Sequence, residues 1–119
     1  MSKHGEEQGL RRAAEYITTS LHRRPRLAEL ATVAGLSRFH FQRRFRAHFG
    51  ETPRQMSLRL RIEHAKSLIR QGVPLPEVAC RCGFSYHSHF STSFKRLTGS
   101  QPSCWPANRR RRGVRAAGR

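Results

Sequence analysis

Leu10, Ala13, Ala14, Ile17 and Leu21 recur at intervals of three and four until Pro25 stops the run. That is the spacing of one helix face, so the pattern predicts a first helix from residue 10, preceded by a polar stretch with two glycines, residues 1–9, expected to be flexible. Leu27, Leu30, Ala31 and Ala34 predict a two-turn helix ending at Gly35, a residue suited to the left-handed C-terminal position. Ser37 is a good N-cap, and Phe41, Phe45 and Phe49 then recur every four residues until Gly50. A short helix, a glycine turn and a second helix make a helix-turn-helix. Thr52 and Pro53 open a longer helix, because proline at the first helical position loses no hydrogen bond. It is expected over residues 53–71, with Met56, Leu60, Ala65, Leu68 and Ile69 available for burial, and Gly72 ends it.

The second half repeats the first. Ala31, Gly35 and Ser37 recur as Ala79, Gly83 and Ser85 at an offset of 48, while Phe41, Phe45, Gly50 and Pro53 recur as Phe90, Phe94, Gly99 and Pro102 at 49. One residue has therefore been inserted between turn and helix in the second copy. The expected fold is all-α: two helix-turn-helix lobes, residues 10–52 and 72–108, joined by the helix 53–71. A last helical turn near residues 102–108 should bury Trp105, and residues 109–119 form a basic tail expected to be disordered without DNA.

Charge then points to the partner. Lys and Arg number 24 against 7 acidic residues, a net charge of +17, which marks a polyanion binder. The tail contributes six of the arginines, so the body is basic without it. All seven acidic residues are Glu, which excludes Asp-dependent triads and Asp–Mg2+ phosphoryl-transfer sites, and no enzyme is expected. The length of 119 residues leaves no room for a separate sensor domain. No apolar run approaches the roughly 18 residues that span a bilayer. Three cysteines without a signal peptide argue for a reducing, cytoplasmic setting. Cys80 and Cys82 with His87 and His89 superficially offer zinc ligands, but the spacing is not that of a zinc knuckle; Cys82 reads as a small buried residue, and no metal or cofactor is expected.

These residues, in this order, carry a resemblance. Leu27-x2-Leu30-Ala31-x3-Gly35-Leu36-Ser37-x3-Phe41-x3-Phe45-x4-Gly50-x2-Pro53, then Arg61-x3-Ala65-x2-Leu68-Ile69, Val78-Ala79-x2-Cys82-Gly83-Phe84-Ser85 and Phe90-x3-Phe94-Lys95-Arg96-x2-Gly99-x2-Pro102 resemble the DNA-binding domain of the AraC/XylS family of bacterial transcription regulators. The resemblance covers roughly residues 10–105 and implies an all-α fold of seven helices and a regulator, commonly an activator, with two recognition helices in successive major grooves and recruitment of RNA polymerase. Where the family often has an aromatic–Arg pair after the last proline, this chain has Trp105 and Pro106.

With Phe41 and Phe45 buried, helical geometry turns Arg38, Phe39, Gln42, Arg43 and Arg46 outward. Gln42 suits adenine, Arg43 suits the O6 and N7 of guanine, and Phe39 suits a thymine methyl; the resemblance implies base contacts at these same three positions. In the second copy Tyr86, His87, Ser88, His89, Ser91 and Thr92 should face outward, but Thr92 stands where Arg43 does, so the guanine-reading group is lost. The first helix is therefore expected to read and the second chiefly to anchor. Backbone contacts are expected from Ser37, Arg44, Arg46, Ser85, Lys95 and Arg96. With two units in one chain, a monomer suffices for two-groove binding to double-stranded DNA. An RNA binder would display aromatics on a sheet or a Gly-x-x-Gly loop, and neither is visible. A nonspecific nucleoid protein would lack the Gln42–Arg43 pair, and a hydrolase has no nucleophile with an oxyanion-hole segment.

Overall fold

A computed structural model of the chain describes residues 3–105. Among them are six α-helices: α1 (Lys3–Thr19), α2 (Leu27–Ala34), α3 (Arg38–Phe49), α4 (Pro53–Arg70), α5 (Leu75–Arg81) and α6 (His87–Thr98), with a 3-10 turn, Leu21–Arg23, after α1. The described residues contain no strand, as an all-α chain requires, but six α-helices rather than seven. The seventh was expected beyond Pro102, where residues 102–104 form a turn and the described residues end at Trp105; the basic tail 109–119 lies outside them. The expected flexible segment 1–9 needs correction, since α1 is helical from Lys3.

The chain divides into two compact units, Met1–Leu60 and Arg61–Arg119, and the division falls within α4. In the first unit, α1 packs on α2 and α3. Leu10, Ala13 and Ile17 of α1 meet Leu30, Ala31 and Ala34 of α2, Phe41 and Phe45 of α3, and Met56 of α4 in one core. The Phe41, Phe45 and Phe49 rings follow one another at 5.4 and 4.6 Å, which is why the four-residue phenylalanine spacing makes a buried ridge. Fully burying one such ring contributes about 1.5–3 kcal/mol.

The second unit builds the same ridge from Phe84, Phe90, Phe94 and Trp105, with successive centroids at 5.3, 5.7 and 5.8 Å. Trp105 is buried, as expected. The repeat extends to hydrogen bonds. Leu36 N–H donates to Ala31 O and Phe84 N–H to Ala79 O, each at 3.0 Å, closing both turns around glycines with positive φ, Gly35 at 76° and Gly83 at 82°. It also extends to the preceding helices: Leu10, Ala13 and Ile17 recur as the buried Ile62, Ala65 and Ile69 of α4. Each unit is thus a helix, a short helix, a glycine turn and a presented helix.

Candidate nucleic-acid interface

The presented helix of the first unit is α3. Ser37 caps it, its side-chain oxygen accepting from the His40 N–H at 3.2 Å, and Gly50 closes it with its N–H on Arg46 O at 2.8 Å. Between these caps the helix buries Phe41 and Phe45 and leaves Arg38, Phe39, Gln42, Arg43 and Arg46 exposed. All five lie where the sequence places them. Phe39 is 71% exposed, and the Arg43 guanidinium sits over its ring at 5.6 Å. The pair lines up a flat apolar group and a forked donor, the two group types that discriminate thymine and guanine edges in a major groove.

The presented helix of the second unit is α6, and here the structure differs. Ser85 was expected at its start, but the helix begins at His87 with Tyr86 at the N-cap, and the Tyr86 side chain makes no capping hydrogen bond. Tyr86 is the inserted residue, and it displaces the serine by one position. It is 72% exposed. His87, Ser88 and Thr92 are exposed, as are Ser85, Lys95 and Arg96, while Ser91 is half-buried. The two imidazoles lean on their own core: His89 meets the edge of Phe84 at 5.2 Å and His87 that of Phe90 at 6.0 Å. No guanidinium stands at the Thr92 position, so the outer face of α6 offers hydroxyls and an aromatic where α3 offers arginines.

Not every expected backbone group stands clear. Arg46, Lys95 and Arg96 are exposed. Arg44 instead donates from Nε to Glu6 Oε1 at 3.1 Å, and the other oxygen of the same carboxylate meets His40 Nε2 at 3.0 Å. The His40 hydrogen bond and the neighbouring Arg44 charge hold the Glu6 carboxyl below its ordinary range despite partial burial. Sequence reasoning missed Glu6 because it fell in the stretch read as flexible. The available signal was its place four residues before Leu10, on the same helix face. Arg59 is held by Glu51 at 2.6 Å. Arg61 is buried, its guanidinium 4.8 Å from the Phe84 ring centre.

Elsewhere in the first unit, Arg23 bonds Glu29 at 2.9 Å and Tyr16 Oη at 2.6 Å, and Tyr16 donates to the same Glu29. That hydrogen bond raises the Tyr16 hydroxyl and lowers the Glu29 carboxyl, tying α1, the 3-10 turn and α2 together. Cys80 is exposed and Cys82 buried. Burial pushes the Cys82 thiol up to about 11, so it stays protonated and apolar, as its reading from sequence had it. Among the described residues no three His, Cys or Glu side chains gather as a metal site, and no helix is long and apolar enough to cross a membrane.

Comparison with known proteins agrees with this geometry. The family model described as "Helix-turn-helix domain" matches residues 30–110. The "Probable transcriptional regulator LumQ" of Photobacterium leiognathi is 43% identical over 89 residues, 74% of this chain and 36% of that protein. Among solved structures, the DNA-binding domain of AdpA, a global transcriptional factor, in complex with a target DNA, superposes with a TM-score of 0.81 at 33% identity, covering 87% of this chain and 94% of that one. A Chromobacterium violaceum transcriptional regulator of the AraC-type DNA-binding domain group superposes with a TM-score of 0.79 at 25% identity, covering 90% and 96%. The chain spans about a third of the length of the curated relatives it matches.

Proposed function

The chain belongs to the AraC family of helix-turn-helix proteins, and from that premise we propose that it is a sequence-specific reader of double-stranded DNA that regulates transcription. The observation that carries this reading is the exposed face of α3, where Phe39 and Arg43 are stacked and flanked by Gln42 and Arg46. The solved complex of the AdpA domain with its target DNA supports duplex DNA as the partner. In this reading α3 enters a major groove and Arg43, Gln42 and Phe39 read guanine, adenine and thymine edges, with Arg38 beside them. Helix α6 enters the next groove with Tyr86, His87, Ser88 and Thr92, and Ser37, Arg46, Ser85, Lys95 and Arg96 hold phosphates. The chain acts as a monomer in the cytoplasm, as an activator that recruits RNA polymerase. It carries no catalytic step.

The loss of a guanidinium at Thr92 makes the units unequal. A selection from random duplexes at fixed salt should return two half-sites about one helical turn apart. Single base changes in the half-site under α3 should cost about 1–3 kcal/mol each, and those under α6 clearly less. Equal costs in both half-sites would overturn the division into reader and anchor, and a selection that returns no preferred sequence would overturn the function.

A further inference from the structure

We propose that Glu6 limits the share of charge in the first unit's grip on DNA: its carboxylate keeps Arg44 off the phosphate backbone, so that α3 binds DNA less through charge and more through base edges. The inference rests on the DNA-reading function above.

Three observations carry it. The first is the position of Arg44 on its helix. At about 100° per residue it stands about 60° from Phe41 and at the edge of the buried face, whereas Phe39, Arg43 and Arg46 point the other way. Its counterpart in the second unit, Ser93, is fully buried at 1% exposure. The second is the bond itself. Glu6, with a side chain only 17% exposed, uses one oxygen for Arg44 and the other for His40, two side chains one helical turn apart on α3. The Arg44 Nε–H bond to Glu6 Oε1 draws the guanidinium toward α1, and the His40 bond to the other oxygen holds the carboxylate in place. The third is the surplus of charge. In a chain of net +17, attraction to any duplex is assured, and each cation delivered to a phosphate strengthens binding to all sequences equally. A carboxylate that withholds one cation weakens binding to every duplex by the same factor and leaves base contacts in place.

Salt-dependent affinities of the full chain test this, on the selected duplex and on one of random sequence between 50 and 200 mM salt, for the wild type, E6Q, R44Q and the double variant. The E6Q protein should show a log–log salt slope steeper by about 0.9, the increment of one released phosphate contact. Its affinity should rise by the same factor for the random and the selected duplex, because a phosphate contact carries no sequence information. R44Q alone should leave the wild-type slope unchanged, and R44Q on E6Q should restore it. A merely structural role for Glu6 would lower the melting temperature of E6Q and leave the slope where it was, which overturns the proposal. So does a wild-type background in which R44Q flattens the slope by about 0.9, since Arg44 would then hold a phosphate despite Glu6. If E6Q fails to fold, the R44Q measurement decides alone. Failure of the wild type to prefer any duplex is a separate result, reached before any variant is made, and it would remove the DNA-reading function itself.

Discussion

A Cβ built on Gly9 would stand 2.3 Å from the carbonyl oxygen of Ala34 and 3.1 Å from its carbonyl carbon. Both are backbone atoms at the end of α2, so neither can rotate away, and α1 must lift from α2 to admit even a methyl group. Gly9→Ala should therefore destabilise the first unit by about 1–3 kcal/mol, the usual range for overpacking, although alanine is the better helix former. Urea unfolding measures it, and an unchanged midpoint would mean that the two helices are not in this contact. From sequence, Gly9 reads as the end of a flexible stretch, because glycine weakens a helix and nothing local reveals that a neighbouring backbone needs the space. Glu6 was hidden for the same reason. The outward residues of α3, by contrast, were legible one by one, since burying Phe41 and Phe45 leaves the helix a single way to face.

At the level of elements, the internal repeat carried the most information. It located both glycine turns, both phenylalanine ridges and the inserted residue, because these depend on spacing within a few residues. It did not reveal which residue would cap α6. The offset change from 48 to 49 says that a residue has entered between Ser85 and Phe90, and only the helix start at His87 shows that Tyr86 takes the cap. The start of α4 was plain: Thr52 Oγ1 accepts from the Gln55 N–H at 3.0 Å, and Gln55 Oε1 accepts from the Thr52 N–H at 2.9 Å, a reciprocal capping box ahead of Pro53. In the second unit Gln101 stands at the Thr52 position without that hydroxyl, and its backbone carbonyl takes both the Cys104 N–H at 3.0 Å and the Trp105 N–H at 2.9 Å. Thr52→Ala should cost about 1 kcal/mol, and Thr52→Ser should recover most of it. Chemical denaturation of the two variants distinguishes a cap from a packing contact, since serine lacks the methyl group and keeps the oxygen.

For the whole molecule, charge decides how binding responds to salt. The sequence alone allows six to ten phosphate contacts, which corresponds to an affinity loss of about 10³–10⁵-fold between 50 and 200 mM salt. The structure narrows that range by removing cations from the supply. Arg44 is committed to Glu6 and Arg59 to Glu51, Arg61 is buried under Phe84, and Lys66 and Arg81 pair with Glu63 and Glu77. What remains outward on the two presented helices is Arg38, Arg43, Arg46, Lys95 and Arg96. Of these, Arg43 is assigned to a base, so even with contacts from loops and helix starts the count stays near the lower bound. For residues 1–108 the expected fall is thus about 10³-fold over that salt interval. The full chain carries six more arginines beyond residue 108 and should respond more steeply. Titrations of both lengths against the same duplex separate the two contributions. A fall near 10⁵-fold without the tail would mean that the paired arginines break their bonds to reach phosphates, and a flat response in either length is incompatible with a duplex-binding surface built on these side chains.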